Sequence, residues 1–145
     1  MARPTSALII DDEPHVRMFL KLLLKQIGVT VIAEAGDGVS GVASVRQHKP
    51  ELVILDVNLP QENGVQVLAK LGSEFPDLPV IMVSSQNATK TILETQQLGA
   101  LAYILKFSPK AQVLKELTEA LESLEDDESD EAEAEADGEP GTAGS

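Results

Sequence analysis

Short apolar runs alternate with amphipathic stretches along most of the chain. Ala7–Ile10, Val29–Ala33, Leu52–Leu55, Val80–Val83 and Ala102–Leu105 are four or five residues long, and most are rich in Val, Ile and Leu. Nearly continuous apolar runs, rather than strict alternation, predict strands covered on both faces in a parallel sheet. Between them the period becomes helical. The first helix is expected to open with Pro14 at N1, to place Val16, Leu20, Leu23 and Ile27 on one face, and to end at Gly28. The last is expected to open at Ser108-Pro109, a cap followed by N1, with Val113, Leu117, Ala120, Leu121 and Leu124 along its apolar face. Helices near Val39–Gln47, Val65–Leu71 and Ala88–Leu98 complete five β-α units in series. That order predicts the α/β class: a doubly wound parallel sheet with right-handed crossovers, and a site at the carboxyl ends of the strands.

Composition changes this picture mainly at the end of the chain. The 145 residues carry 24 acids against 11 bases, a net charge of −13, and ten of the acids fall in residues 125–145 with no base among them. After Leu124 there is no large apolar residue to offset the entropy of ordering, so residues 125–145 are expected to form a disordered acidic tail on a single domain of residues 1–124. The ordinary reading of such a tail is a solvating segment; the sharper one is an electrostatic contact with a basic partner. The body keeps 14 acids against 11 bases, a poor match for nucleic acid or an anionic membrane. Arg3, Arg17, Lys21, Lys25 and Lys115 read as solvated positions on helix faces or near the N-terminus. The absence of cysteine excludes disulfides, zinc–thiolate sites, Fe–S clusters and a thiol nucleophile. No signal peptide or apolar span of about 18 residues is present, so a cytoplasmic protein is expected.

The strand ends carry residues that a core would not choose. Strand one runs into Asp11-Asp12-Glu13, strand three into Asp56, strand four into Ser84-Ser85 and strand five into Lys106. Taken singly, each has an ordinary reading as a turn former, a helix cap or a solvated side chain. A doubly wound sheet would bring them to one rim, where three carboxylates repel one another unless a hard divalent cation sits between them. Mg²⁺ suits an oxygen-only donor set better than zinc, since the only histidines, His15 and His48, are far apart in sequence. Setting Asp11, Asp12 and Asp56 aside leaves the body with 11 acids and 11 bases, so its charge imbalance is concentrated at this rim.

This set resembles the receiver domain of bacterial two-component response regulators, over essentially all of residues 6–124. The resemblance implies a flavodoxin-like strand order, 2-1-3-4-5, in a domain like the stand-alone chemotaxis regulators. It implies that Asp11 and Asp12 are the acidic pair that binds Mg²⁺. It implies that Asp56, in Leu52-Val53-Ile54-Leu55-Asp56-Val57-Asn58-Leu59-Pro60, is the phosphoacceptor, with Asn58 offering the metal a backbone carbonyl. Gly64 matches the glycine after that loop, Ser84 the switch hydroxyl, Tyr103 the switch aromatic and Lys106 the lysine that meets the phosphoryl group. Implied partners are a sensor histidine kinase or histidine phosphotransfer protein, and a downstream protein bound through helix four, strand five and helix five. DNA and membranes are not expected as partners, and a homodimer through that face is left open. Two positions depart from the family pattern: Phe107 follows Lys106 where proline is common, and Ser85 stands where alanine is usual.

Rival readings come from other motifs. Gly36-Asp37-Gly38-Val39-Ser40-Gly41 fits G-x-G-x-x-G, which would suggest a dinucleotide-binding enzyme, but a complete strand and helix precede it. Its ordinary reading is a glycine-rich turn into helix two. Asp56-Val57-Asn58 suggests a phosphatase of the haloacid dehalogenase type, a chemistry that needs a carboxylic acid where Asn58 stands. An interaction module that never takes phosphate would leave the acids and Lys106 without a task.

Overall fold

The computed structural model describes the backbone of residues 2–137 and the side chains of residues 2–125. Five strands alternate with five helices: β1 (Ser6–Ile10), α1 (Pro14–Gln26), β2 (Thr30–Ala35), α2 (Gly38–His48), β3 (Val53–Asp56), α3 (Gly64–Glu74), β4 (Val80–Ser84), α4 (Thr89–Gln97), β5 (Ala102–Leu105) and α5 (Lys110–Asp137). All strand pairings are parallel, in the order β2-β1-β3-β4-β5 expected from the sequence.

Side chains alternate between two cores, one on each face of the sheet. Ala7 and Ile9 pack with Leu20, Leu23 and Leu24 of α1 and with Leu117 and Leu121 of α5. Leu8, Ile10, Leu55 and Met82 pack on the other face with Val45 of α2 and with Val67, Leu68 and Leu71 of α3. Each of these large side chains removed from water contributes roughly 1.5–3 kcal/mol before the entropy of ordering is counted. Glycine serves the packing at Gly41, where a Cβ would collide with the Ile10 side chain, so α2 lies close on β1. Gly28 ends α1 with a φ of +86°, a conformation open to glycine.

The outer strands and the chain ends differ from the sequence expectation. β1, β3 and β4 are covered on both faces as expected, but β2 is an edge strand whose exposure alternates. Its register against β1 slips by one residue between Val31 and Ala33, leaving Ile32 unpaired in a bulge. α5 begins at Lys110, one residue later than expected, with the Pro109 carbonyl accepting from Gln112 and Val113 N–H at 2.9 and 3.1 Å. Its backbone is helical through Asp137, in a stretch rich in Ala and Glu, which are good helix formers. Residues 138–145, the rest of the expected tail, lie outside the described residues. Among the described residues no helix is long and apolar enough to cross a membrane.

α4 is the most lightly held of the helices. Its one buried residue is Thr95, whose hydroxyl donates to the Ile92 carbonyl at 2.8 Å, while Leu93 is 51% exposed.

Candidate functional site

The carboxyl ends of β1, β3, β4 and β5 bring the expected residues to one rim. Asp11 leaves β1 with its N–H held by the Ala35 carbonyl at 2.9 Å, and its Oδ1 accepts from Glu13 N–H at 2.9 Å. Asp56 is the last residue of β3, and its Oδ1 accepts from Asn58 N–H at 3.1 Å. Both carboxylates are buried, whereas Asp12 is exposed. One oxygen from each of Asp11, Asp12 and Asp56 lies within 4.8 Å of the others.

Lys106 follows β5 and is tied to β4 through its N–H, which donates to the Ser84 carbonyl at 2.8 Å. Its ammonium donates to Asp56 Oδ2 at 3.1 Å and to Glu13 Oε1 at 2.9 Å. Asp11 Oδ2 lies 3.0 Å from the same ammonium, but the angle leaves that buried oxygen without a hydrogen bond. Glu13 is a member of the cluster that the sequence reading named only as part of an acidic run. Its signal was present, since three consecutive acids leave one strand, but not its partner.

The remaining residues meet at the edge of the rim. Ser84 is buried at the end of β4, and its Oγ accepts from Gln86 N–H at 3.0 Å. The Tyr103 hydroxyl, on β5, donates to the Gln86 carbonyl at 2.9 Å. Ser84 and Tyr103 therefore grip one loop residue, Gln86, from its two sides. Sequence offered no signal for Gln86, because it takes part through its backbone.

Gly64 explains how the Asp56 loop is held. Its N–H donates to the Val57 carbonyl at 2.6 Å, and a Cβ there would overlap the Asp56 carbonyl oxygen. Asn63 and Gln66 form a reciprocal capping box at the same helix start, so α3 is fixed against the loop. The chain before Lys106 and after it is trans throughout, Phe107 included, and the Phe107 side chain is 72% exposed.

The electrostatics follow from this geometry. Burial and the neighbouring Asp11 charge push the Asp56 carboxyl up to about 6, against the Asn58 N–H and Lys106, which pull it down. Burial pulls Lys106 down, but the hydrogen bonds it donates to Glu13 and Asp56, with the Asp11 carboxylate 3.0 Å away, outweigh it and hold the ammonium above its ordinary range. The Lys106 hydrogen bond holds Glu13 below the usual carboxylate range. A carboxyl raised in the fold binds its proton more tightly there than in the unfolded chain. Its ionisation thus costs stability fully above about pH 6, and that cost fades as pH falls toward the ordinary value of 3.8. In metal-free buffer, Asp56→Asn should therefore raise the unfolding free energy from urea titration at pH 7, by about 3 kcal/mol at most, and the gain should shrink at pH 5.

The donor set fits a hard divalent cation. It is all oxygen, two of its three carboxylates are buried, and Asp11 Oδ2 is a buried acceptor with no hydrogen bond. The glycine-rich motif, by contrast, sits after the edge strand β2 as an ordinary helix start, with Asp37 Oδ1 accepting from Ser40 N–H at 2.8 Å. A cleft of about 580 Å³ is lined by Pro4, Val45, Pro50, Phe75 and Leu78 and includes none of the rim residues.

Comparison with known proteins bears on the family and the fold. The family described as the response regulator receiver domain matches residues 7–119. The chain is 37% identical over 114 residues to TcrX, a probable transcriptional regulatory protein of Mycobacterium tuberculosis, covering 78% of this chain and 48% of TcrX. It is 30% identical over 114 residues to the chemotaxis protein CheY of Bacillus subtilis, covering 79% of this chain and 95% of that protein. The chain thus spans about half the length of TcrX and most of CheY. A CheY-like receiver domain structure from Methanospirillum hungatei superposes with a TM-score of 0.75 at 26% identity, covering 86% of this chain and 98% of that one. The structure of a CheX–CheY–BeF3–Mg complex from Borrelia burgdorferi matches with a TM-score of 0.75 at 25% identity, covering 80% of this chain and 88% of that one. With its five-stranded parallel sheet in the order 2-1-3-4-5 and its acidic rim facing a buried lysine, the chain belongs to the receiver domain family of two-component response regulators.

Proposed function

We propose that this receiver is a phosphorelay switch that takes a phosphoryl group on Asp56 from a phosphohistidine protein and changes its affinity for a downstream partner. The observation that carries the reading is Asp56 itself: a buried carboxylate, in contact with the Lys106 ammonium and sharing a cation-sized space with Asp11 and Asp12. Asp11, Asp12, Asp56 and the Asn58 carbonyl would hold Mg²⁺. When bound, the ion would neutralise charge on the transferring oxygens.

In the transfer, an Asp56 oxygen forms a bond to phosphorus as the P–N bond of the donor breaks, and the electron pair leaves with the imidazole. Water later attacks the phosphorus and restores the carboxylate. Lys106 keeps Asp56 company in both states and faces the added negative charge. Ser84 would donate its hydroxyl to the phosphoryl group, giving up Gln86 N–H, and the loop that Tyr103 grips would follow. The signal leaves through α4, β5 and α5, a face that a second copy of the chain could also use. The phosphodonor would be a sensor kinase or phosphotransfer protein in the cytoplasm. Residues 125–145 serve as an acidic appendage to the domain at 1–124, and no DNA contact is assigned to the domain.

Acetyl phosphate with Mg²⁺ should add one phosphoryl group per chain, with little added in EDTA and no turnover of ordinary phosphate esters. Steady ester hydrolysis would favour the phosphatase reading, and no labelling at all the phosphate-free module. The switch has its own check, since Tyr103 is the single tyrosine and there is no tryptophan. Beryllofluoride with Mg²⁺ should change its fluorescence, and Ser84→Ala should remove at least half of that change while labelling persists. An undiminished response in Ser84→Ala would separate the hydroxyl from the relay.

A further inference from the structure

Lys106 has three carboxylate neighbours, and they are not equivalent. Asp11 and Asp56 are each 1% exposed, and each commits one oxygen to a neighbouring N–H. The Glu13 side chain is 40% exposed. It occupies the N-cap position of α1 with extended backbone yet makes no side-chain cap, while Val16 and Arg17 N–H go to its backbone carbonyl. Its Oε1 instead accepts from the Lys106 ammonium at 2.9 Å, while buried Asp11 Oδ2, 3.0 Å from the same ammonium, receives no hydrogen bond. An ammonium has three donors, and the most exposed of its neighbours holds one of them.

We propose that Glu13 is a positioning residue that holds one donor of the Lys106 ammonium in the resting state and surrenders it when an anionic phosphoryl group arrives at Asp56. The inference rests on the reading of Asp56 as the acceptor. Asp11 and Asp56 cannot yield their places, because leaving them would strand buried charge. Glu13 can: its side chain is 40% exposed against 1% for each of the other two residues, so swinging outward returns its charge to water. Two anions then compete for one cation at the rim, and Glu13 sets how strongly the empty site resists the incoming group.

The test is a titration of the full chain with beryllofluoride at saturating Mg²⁺, followed by fluorine NMR, for wild type, Glu13→Gln and Glu13→Ala. Both variants should bind beryllofluoride roughly twofold to fivefold more tightly, since an exposed competitor for the ammonium is gone. Their affinity for Mg²⁺ alone should stay equal or fall, because a nearby negative charge is removed. A residue that merely braced the fold would weaken both equilibria together, so the opposite signs identify competition. Unchanged or weaker beryllofluoride binding in both variants, beside a responsive wild type, overturns the inference and leaves the acceptor reading standing. A wild type that binds no beryllofluoride, indistinguishable from Asp56→Asn, overturns both.

Discussion

Asp56→Asn is expected to lower phosphoryl incorporation from acetyl phosphate to background, a loss of at least about a hundredfold, while the folded domain becomes more stable without metal. The amide keeps the shape of the side chain, and its single oxygen can replace one of the two carboxylate oxygens that accept from Asn58 N–H and from Lys106. What it lacks is the charged oxygen that, on the proposed reading, would attack phosphorus. It also removes a buried negative charge that sits beside Asp11, so the usual objection that a dead variant is an unfolded one does not apply. Intact-mass measurement after acetyl phosphate treatment, paired with urea denaturation, reads both effects on one sample. Undiminished labelling would place the acceptor elsewhere, and a loss of stability in metal-free buffer would contradict the electrostatic account of the rim.

The second large effect is expected at Gly64. Gly64→Ala should destabilise the domain by about 3 kcal/mol, because the added methyl overlaps the backbone of the Asp56 loop, which cannot move without disturbing β3. Gly72 in the same helix supplies the contrast. A Cβ there meets nothing closer than the Leu98 carbonyl at 3.9 Å, so Gly72→Ala should stabilise by about 0.5–1 kcal/mol through helix propensity. Chemical denaturation of the two variants checks both signs. Equal effects at the two positions would mean that α3 can back away from the loop, and that the tight approach is not what holds Asp56 in place.

Much of this was legible before any coordinates. The central strands could be read because residues such as Leu8, Ile54 and Ile81 are apolar on both sides of the chain, as burial on two faces demands. The convergence of Asp11, Asp56, Ser84 and Lys106 followed from the topology, since parallel strands end on one rim. The edges were harder. Nothing in Val31-Ile32-Ala33 announces which residue will bulge, because the slip depends on what β1 offers opposite. Asp12 and Glu13 look alike in sequence, yet one faces solvent and the other reaches Lys106. That division is made by the turn in which Asp11 Oδ1 takes the Glu13 N–H, a local hydrogen bond that residue type alone does not specify.

The thin anchorage of α4 has a consequence for how little work a signal must do. A segment that buries one residue opens at a small fraction of the free energy needed to unfold the whole domain, and the strands beneath it open only with the rest. The domain therefore has a graded scale of opening energies, lowest on the helix that borders the Ser84–Gln86 loop and highest in the doubly covered sheet. A shift of about 1.4 kcal/mol changes the ratio of two arrangements tenfold. A perturbation of one or two hydrogen bonds at Gln86 is of that size. It can redistribute α4 between arrangements while leaving the core as it was, so sensitivity at the surface is obtained without softening the scaffold.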